Sequence, residues 1–136
     1  MLDRLDDARC ICSNSTSARL KLSLGATALY DRFKPYIFSA KEVRQGRGKP
    51  APDVFLHAAE VFGVAPHEAV VVEDSVHGAQ GAVAAGMRVI GFTGASHSWP
   101  GHADALTEAG VETVVRRLAD VAPVIEAMKV WGGFEA

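Results

Sequence analysis

The chain has 136 residues, of which 49% are hydrophobic, so it can form one domain with a continuous core but is too short for two. Its 14 basic and 16 acidic residues are mixed along the chain, and the formal net charge of −2 argues against a surface for nucleic acid or anionic membranes. No apolar run is long enough to span a membrane, and the charged start is unlike a signal peptide. We therefore expect a single cytoplasmic domain over residues 1–136.

The two cysteines, Cys10 and Cys12, occupy alternate positions in an apolar run, so both side chains should point to the same face of a strand. This spacing disfavours a disulfide between them. We interpret them as small buried hydrophobic residues in a reducing cytosol, because a metal site would need further Cys or His ligands nearby.

Short apolar runs alternate with amphipathic stretches along the chain, which is typical of parallel βαβ units and predicts an α/β fold. The predicted strands cover residues 9–12, 36–39, 69–72, 88–92 and 111–115. Helical spacing of apolar residues predicts a first helix through Leu20, Leu24 and Ala28, and further helices over residues 52–63, 76–86, 103–109 and 123–130. Gly63 is placed to end the second helix in a left-handed conformation.

Ligands of an open parallel sheet bind beyond the carboxyl ends of its strands, so the polar residues at those ends are candidate site residues. Ser13 and Asn14 follow the first predicted strand, at a strand-to-helix turn whose free backbone N–H groups would suit a phosphate. The alternative is that the segment over residues 13–17, Ser-Asn-Ser-Thr-Ser, only caps the helix.

Lys49 lies between Gly48 and Pro50, in a loop over residues 43–52 that follows the second predicted strand. The neighbouring proline restricts the backbone, so this setting would aim a single cation at a ligand. The alternative is an ordinary solvated loop lysine.

Glu73 and Asp74 follow the third predicted strand. Adjacent carboxylates at the mouth of a buried strand repel each other unless a cation lies nearby, and Mg²⁺ prefers such oxygen ligands. Alternatively, Asp74 or Ser75 caps the next helix and Glu73 is solvated. The 5 histidines show no metal-ligand spacing and are interpreted mostly as surface or packing residues. This interpretation has the least support for His97, which lies in the loop after Phe92.

Three segments together resemble motifs of the haloacid dehalogenase (HAD) superfamily, in its subgroup of β-phosphoglucomutase-like proteins and sugar-phosphate phosphatases. Residues 11–14, Ile-Cys-Ser-Asn, look like the second motif of that superfamily. Residues 48–53, Gly-Lys-Pro-Ala-Pro-Asp, are similar to the third, and residues 70–75, Val-Val-Val-Glu-Asp-Ser, to the fourth. The three motifs in this order are far more specific than any one alone.

The resemblance implies a three-layer Rossmann-like core that performs phosphoryl transfer with Mg²⁺ as cofactor. It assigns Ser13 and Lys49 to catalysis through binding of the phosphoryl group, with Asn14 as a weaker contact, and Glu73 and Asp74 to binding or orienting the metal. The partner would be a small phosphorylated metabolite. Residues 92–101, together with Asn14, resemble sugar-phosphate or sugar-acid phosphatases such as the 6-phosphogluconate type.

The chain departs from the superfamily at the first motif, an apolar strand followed by Asp-x-Asp whose first aspartate is the nucleophile. Asp3, Asp6 and Asp7 come closest, but only two residues precede Asp3, too few for a buried strand. The helical cap that selects the substrate has no counterpart either. We therefore expect a partial core that forms the C-terminal part of a larger hydrolase. Because the missing strand would lie between the strands of the second and fourth motifs, two inner edges should be unpaired.

Two classes of function follow. The leading hypothesis is a parent enzyme that hydrolyses a small phosphate ester, or isomerises a sugar phosphate, through an aspartyl-phosphate, with this chain inactive alone. The alternative is a non-catalytic module that binds Mg²⁺ or phosphate without turnover. A receiver-type signalling domain fits less well, because its acidic pair should follow the first strand. The sequence does not indicate an oligomeric state.

Overall fold

The computed structural model describes residues 11–13, 37–39, 41–42, 46–94 and 98–131. In chain order, these residues contain the following elements: β1 (Ile11–Ser13), β2 (Ile37–Ser39), α1 (Asp53–Phe62), β3 (Val70–Glu73), α2 (Val76–Ala84), β4 (Arg88–Phe92), α3 (His102–Ala109), β5 (Thr113–Val115) and α4 (Val121–Trp131). Short 3-10 helices occupy Pro66–Glu68 and Leu118–Asp120. The predicted helix through Leu20, Leu24 and Ala28 lies outside the described residues, as does Cys10.

The five strands in these ranges are parallel, as predicted, and they form two separate sheets. β1 pairs with β2, so that Ser13 lies opposite Ser39 at the carboxyl ends of both strands. β4 lies between β3 and β5 in the other sheet. No hydrogen-bonded ladder joins β1 to β3 in the described part of the chain. The split therefore falls at the position where the sequence predicts an absent strand.

Helices cover both faces of the three-stranded sheet and give it three layers. On one face, Val71, Val89 and Val114 pack in a cluster with residues of α1, α2 and α3. On the opposite face, Ile90 and Val115 pack in a second cluster with residues of α4. This division follows from strand alternation, which sends successive side chains to opposite faces. The three-layer core predicted from the sequence is therefore present around β3, β4 and β5.

The helix ends agree with the glycine positions in the sequence. α1 ends at Gly63, which adopts the left-handed conformation with φ 67°, and the Gly63 N–H bonds back to the carbonyl of Glu60. α3 ends similarly at Gly110, with φ 108°. Each of the predicted strands and later helices is found within about two residues of its expected bounds. None of the helices described is long and apolar enough to cross a membrane.

The two-stranded sheet is attached to the rest of the molecule through α1. The thiol of Cys12 on β1 lies 3.8 Å from the carbonyl oxygen of Val54. The ring of Phe38 on β2 meets the His57 imidazole edge to face, with 5.1 Å between the centroids. Val54 is fully buried, so α1 forms the apolar contact that the two sheets share.

At the opposite end of the three-stranded sheet, Arg88 ties β4 to the chain that follows α3. Its guanidinium donates two hydrogen bonds of 2.8 Å to Glu112 and one of 3.2 Å to the carbonyl oxygen of Met128. The hydrogen bonds to Glu112 raise the pKa of Arg88 above its ordinary value. This cluster lies at the amino ends of the strands and is remote from the candidate site.

Candidate phosphate and metal site

A folded loop holds Lys49 at the carboxyl end of the sheet. The Arg47 guanidinium makes two hydrogen bonds, of 2.9 and 3.0 Å, to the carboxylate of Asp53 in the first turn of α1. The Ala51 N–H bonds to the Gly48 carbonyl at 3.0 Å, and the Lys49–Pro50 peptide bond is cis. Asp53 is nearly inaccessible to solvent, with its side chain 3% exposed. The loop is therefore fixed at both ends of the segment that carries Lys49.

Lys49 forms an ion pair with Glu73, the last residue of β3. The Lys49 Nζ lies 2.8 Å from Glu73 Oε2, and each side chain is only 10% exposed. The ammonium also lies 5.2 Å from the centroid of the Phe55 ring, close enough for a cation–π contact. Burial excludes water from this pair, so the attraction between its charges is stronger than that of a surface pair. The lysine is therefore not the solvated loop residue of the alternative interpretation.

The carboxylate of Glu73 is fully engaged by donors. While Oε2 accepts from Lys49, Oε1 accepts hydrogen bonds of 3.2 Å from the Asp74 N–H, 3.3 Å from the Ser75 N–H and 3.2 Å from the Ser75 hydroxyl. Gly78 of α2 lies directly against this carboxylate, because a Cβ added to Gly78 would overlap the Glu73 side chain. Glu73 is therefore held in one position and is not solvated.

Ser75 caps the N-terminus of α2. Its Oγ accepts a hydrogen bond of 2.9 Å from the Gly78 N–H, and its backbone is extended as an N-cap requires. The sequence allows either Asp74 or Ser75 to cap this helix, and the structure assigns the cap to Ser75. Farther along α2, Gly81 lets the helix approach the Lys49 loop, since a Cβ there would lie 3.1 Å from the carbonyl oxygen of Ala51.

Asp74 is half-buried and lies between the strand end and the cap. Glu73 already binds four donors, and Asp74 is the second carboxylate at this strand end that could hold a metal ion. Within the described ranges, no three His, Cys, Asp or Glu side chains gather into a metal site. Mg²⁺ tolerates such a sparse set, because it is commonly bound by one or two carboxylates together with water and phosphate oxygens. The hard oxygen donor of Asp74 therefore fits Mg²⁺.

Ser13, the remaining catalytic candidate, belongs to the other sheet. It ends β1, and its backbone partner on β2 is Ser39, which is 2% exposed. The Ser39 hydroxyl has no hydrogen-bond partner among the residues described. Asn14 lies outside the described residues. The structure thus brings Lys49, Glu73 and Asp74 together and places the Ser13 backbone at the carboxyl end of the neighbouring sheet.

His102 is a residue at this end of the sheet that the sequence analysis did not assign to the site. The structure shows it 1% exposed, with its Nε2 2.7 Å from the carbonyl oxygen of Asp74. In the sequence, His102 follows a proline and a glycine at the start of a predicted helix, and this position alone marks it as a loop-end residue. The 28 residues between His102 and Asp74 hide the contact between them. His97, the histidine with the least support as a packing residue, lies outside the described residues.

Comparisons with known proteins identify the family and the fold of the chain. The model of a family described as haloacid dehalogenase-like hydrolase matches residues 1–86. The chain belongs to this family. Its relatives include the 6-phosphogluconate phosphatase of Escherichia coli, which is 31% identical over 100 residues, or 74% of this chain and 44% of the relative.

Two solved structures of HAD proteins resemble the chain closely. A conserved HAD-like protein of unknown function from Agrobacterium tumefaciens is 60% identical, with a TM-score of 0.91 over 93% of this chain and 57% of that one. A HAD family hydrolase from Deinococcus radiodurans, with bound phosphate and sodium, is 37% identical, with a TM-score of 0.79 over 87% of this chain and 52% of that one. The chain therefore has the HAD fold and spans about half the length of these three proteins.

Proposed function

We propose that this chain supplies the phosphate-binding and metal-binding half of a magnesium-dependent phosphate monoester hydrolase that works through an aspartyl-phosphate. The observation that carries the proposal is the buried ion pair between Lys49 and Glu73, which lies beside Asp74 at the carboxyl end of the sheet. Phosphoryl transfer requires that the negative charge of the phosphoryl group be positioned and neutralised. Lys49, held by Glu73, can supply positive charge, and Asp74 can hold a metal ion.

Lys49 is the proposed phosphate-binding cation. Its ammonium carries three donors, and Glu73 and the Phe55 ring hold it in a buried position, so it is oriented before a ligand arrives. Pre-orientation lowers the entropic cost of binding. Ser13 and Asn14 remain the proposed hydroxyl and amide donors to the same phosphoryl group. In this scheme Glu73 acts on the metal site indirectly, by fixing Lys49 and the backbone of the neighbouring Asp74.

Asp74 is the proposed ligand of Mg²⁺. Bound here, the ion would neutralise charge on the phosphoryl oxygens of the substrate. The cap of α2 is supplied by Ser75, whose Oγ accepts from the Gly78 N–H. A change at Asp74 therefore leaves this cap in place.

The proposed substrate is a small phosphorylated metabolite, of the sugar-phosphate or sugar-acid type. The likeness to the 6-phosphogluconate phosphatase of E. coli supports this class. A sugar-phosphate mutase would use the same residues and differs in the fate of the phosphoryl group. A cytoplasmic location stays a prediction from the sequence.

We further propose that this chain is one domain, the C-terminal part of a longer hydrolase. The separation of β1 from β3 supports this, since a parallel strand inserted between them would join the two sheets. The carboxyl end of such a strand would lie beside Lys49 and Asp74, where the nucleophilic aspartate is needed.

The test joins this chain to a segment that carries an apolar strand ending in Asp-x-Asp, and measures release of inorganic phosphate with and without MgCl₂. Magnesium-dependent hydrolysis of p-nitrophenyl phosphate and of sugar phosphates is expected. Asp74→Asn should lower the rate by about 100-fold or more, because it weakens binding of the Mg²⁺ that would neutralise charge on the phosphoryl oxygens.

Asp104→Asn is the matched control, since Asp104 is an exposed acid on α3. It should leave the rate unchanged. Hydrolysis that survives Asp74→Asn would contradict the proposal. Binding of Mg²⁺ or phosphate without any turnover in the joined protein would favour the non-catalytic module instead.

A further inference from the structure

His102 links two loops at the carboxyl end of the three-stranded sheet. Its Nε2 lies 2.7 Å from the carbonyl oxygen of Asp74, and its Nδ1 lies 2.7 Å from the Ser98 hydroxyl. A carbonyl oxygen only accepts hydrogen bonds, so Nε2 carries a hydrogen and donates it. Both ring nitrogens are therefore engaged, and the orientation of the imidazole is fixed.

Trp99 supports the ring from one side. The indole stacks on the His102 imidazole with 4.1 Å between the centroids and an interplanar angle of 19°, while 47% of Trp99 stays exposed. The His102 N–H also bonds to the Trp99 carbonyl at 3.0 Å. Ser98 and Trp99 thus contact the histidine, which is 1% exposed.

This arrangement fixes the backbone of Asp74. Its N–H donates to Glu73 Oε1, and its carbonyl accepts from His102, so the peptide groups on both sides of its Cα are held. The direction in which a side chain leaves the backbone follows from the orientation of these two peptide groups. His102 therefore restrains the backbone from which the Asp74 side chain extends.

We propose that His102 is a positioning residue for the metal site: it holds the main chain of Asp74 so that the Asp74 carboxylate faces the metal. This inference rests on the proposed function, in which Asp74 binds Mg²⁺. Residues that orient a metal ligand from behind raise metal affinity, because the ligand no longer has to be ordered when the ion binds.

The test compares His102→Asn with His102→Gln in the joined hydrolase described above. The longer glutamine amide can place an N–H near the position of Nε2 and keep the bond to Asp74. The asparagine amide lies near the position of Nδ1 and loses that bond. Titration calorimetry with MgCl₂ alone should show the dissociation constant rising about 10- to 100-fold for His102→Asn and no more than about threefold for His102→Gln.

Activity provides a second measurement that a general folding defect would not reproduce. At saturating MgCl₂ the kcat of His102→Asn should return to within about threefold of the parent value, with KM for p-nitrophenyl phosphate unchanged. His67→Asn is the control, because His67 is exposed on the 3-10 helix before β3. It should leave the magnesium affinity unchanged.

The Asp74→Asn variant separates the two proposals. If Asp74→Asn weakens magnesium binding and His102→Asn does not, the inference about His102 is wrong and the proposed function stands. If Asp74→Asn leaves magnesium binding intact, both are wrong. Should neither His102 variant fold, Ser98→Ala keeps the ring and removes one of its two hydrogen bonds. An unchanged magnesium affinity in Ser98→Ala would then overturn the inference, and a rise of about two- to fivefold would support it.

Discussion

The two sheets of this molecule differ in how they are held. The sheet of β3, β4 and β5 has helices on both faces and buried residues on each side. The sheet of β1 and β2 has three residues in each strand and contacts the rest of the molecule through α1. Lys49 comes from the loop between β2 and α1, and it reaches Glu73 on the larger sheet. The ion pair therefore joins the loop before α1 to the larger sheet at the functional end of the fold.

Removal of this ion pair is the strongest test of that connection. Lys49→Met should lower the free energy of unfolding by about 3 kcal/mol, because it leaves the buried Glu73 carboxylate without its cation. Denaturation with urea measures this loss. A second variant, Lys49→Met with Glu73→Gln, should recover part of the stability, since no uncompensated buried charge remains.

Lys41→Met provides the comparison for the lysine itself. Lys41 is exposed in the turn after β2, so its replacement should change the free energy of unfolding by less than about 0.5 kcal/mol. If Lys49→Met costs no more than Lys41→Met, the ion pair does not stabilise the contact between this loop and the larger sheet.

A change at Gly78 tests the larger sheet alone. Gly78→Ala should lower the free energy of unfolding by about 2 kcal/mol, because the added Cβ overlaps the Glu73 side chain and four hydrogen bonds prevent that side chain from moving freely. Helix propensity acts in the opposite direction, since alanine is favoured over glycine within a helix by about 1 kcal/mol.

Gln80→Ala is the matched change on the exposed side of α2, and thermal or urea unfolding should show little effect there. A Gly78→Ala variant as stable as Gln80→Ala would show that Glu73 has room to move. The rigid position of the Glu73 carboxylate would then be disproved.

The smallest expected effect is at Ser75. Ser75→Ala removes the cap of α2 and one donor to Glu73, and it should lower the free energy of unfolding by about 1 kcal/mol. Ser75→Thr keeps a hydroxyl that can accept from the Gly78 N–H, and it should retain most of the stability. Equal losses in the two variants would mean that the hydroxyl is not the stabilising group.

Much of the fold could be predicted from the sequence because its signals are local. The valine run before Glu73 and the apolar run from Arg88 to Phe92 are too short for helices, and they form strands β3 and β4. Gly63 and Gly110 end helices because glycine adopts positive φ without steric cost. Such features depend on neighbours only a few residues away, so no knowledge of the folded chain is needed.

The partners of the site residues could not be predicted in the same way. Lys49 and Glu73 are 24 residues apart. The sequence predicts that Lys49 binds phosphate and Glu73 the metal, but it does not predict that the two side chains meet. His102 was interpreted as a surface or packing residue, although its ring is hydrogen-bonded to Asp74, 28 residues away. These contacts depend on how the loops pack above the sheet, which spacing and composition do not encode.

The stacking of Trp99 on His102 also offers a way to follow the site by tryptophan fluorescence. An indole that is 47% exposed and lies flat against an imidazole has an emission that depends on the distance and orientation of its neighbour. Because that imidazole holds the backbone of Asp74, a movement of the Asp74 loop should change the tryptophan fluorescence. We therefore expect the fluorescence of Trp99 to report ligand binding at the site without an attached label.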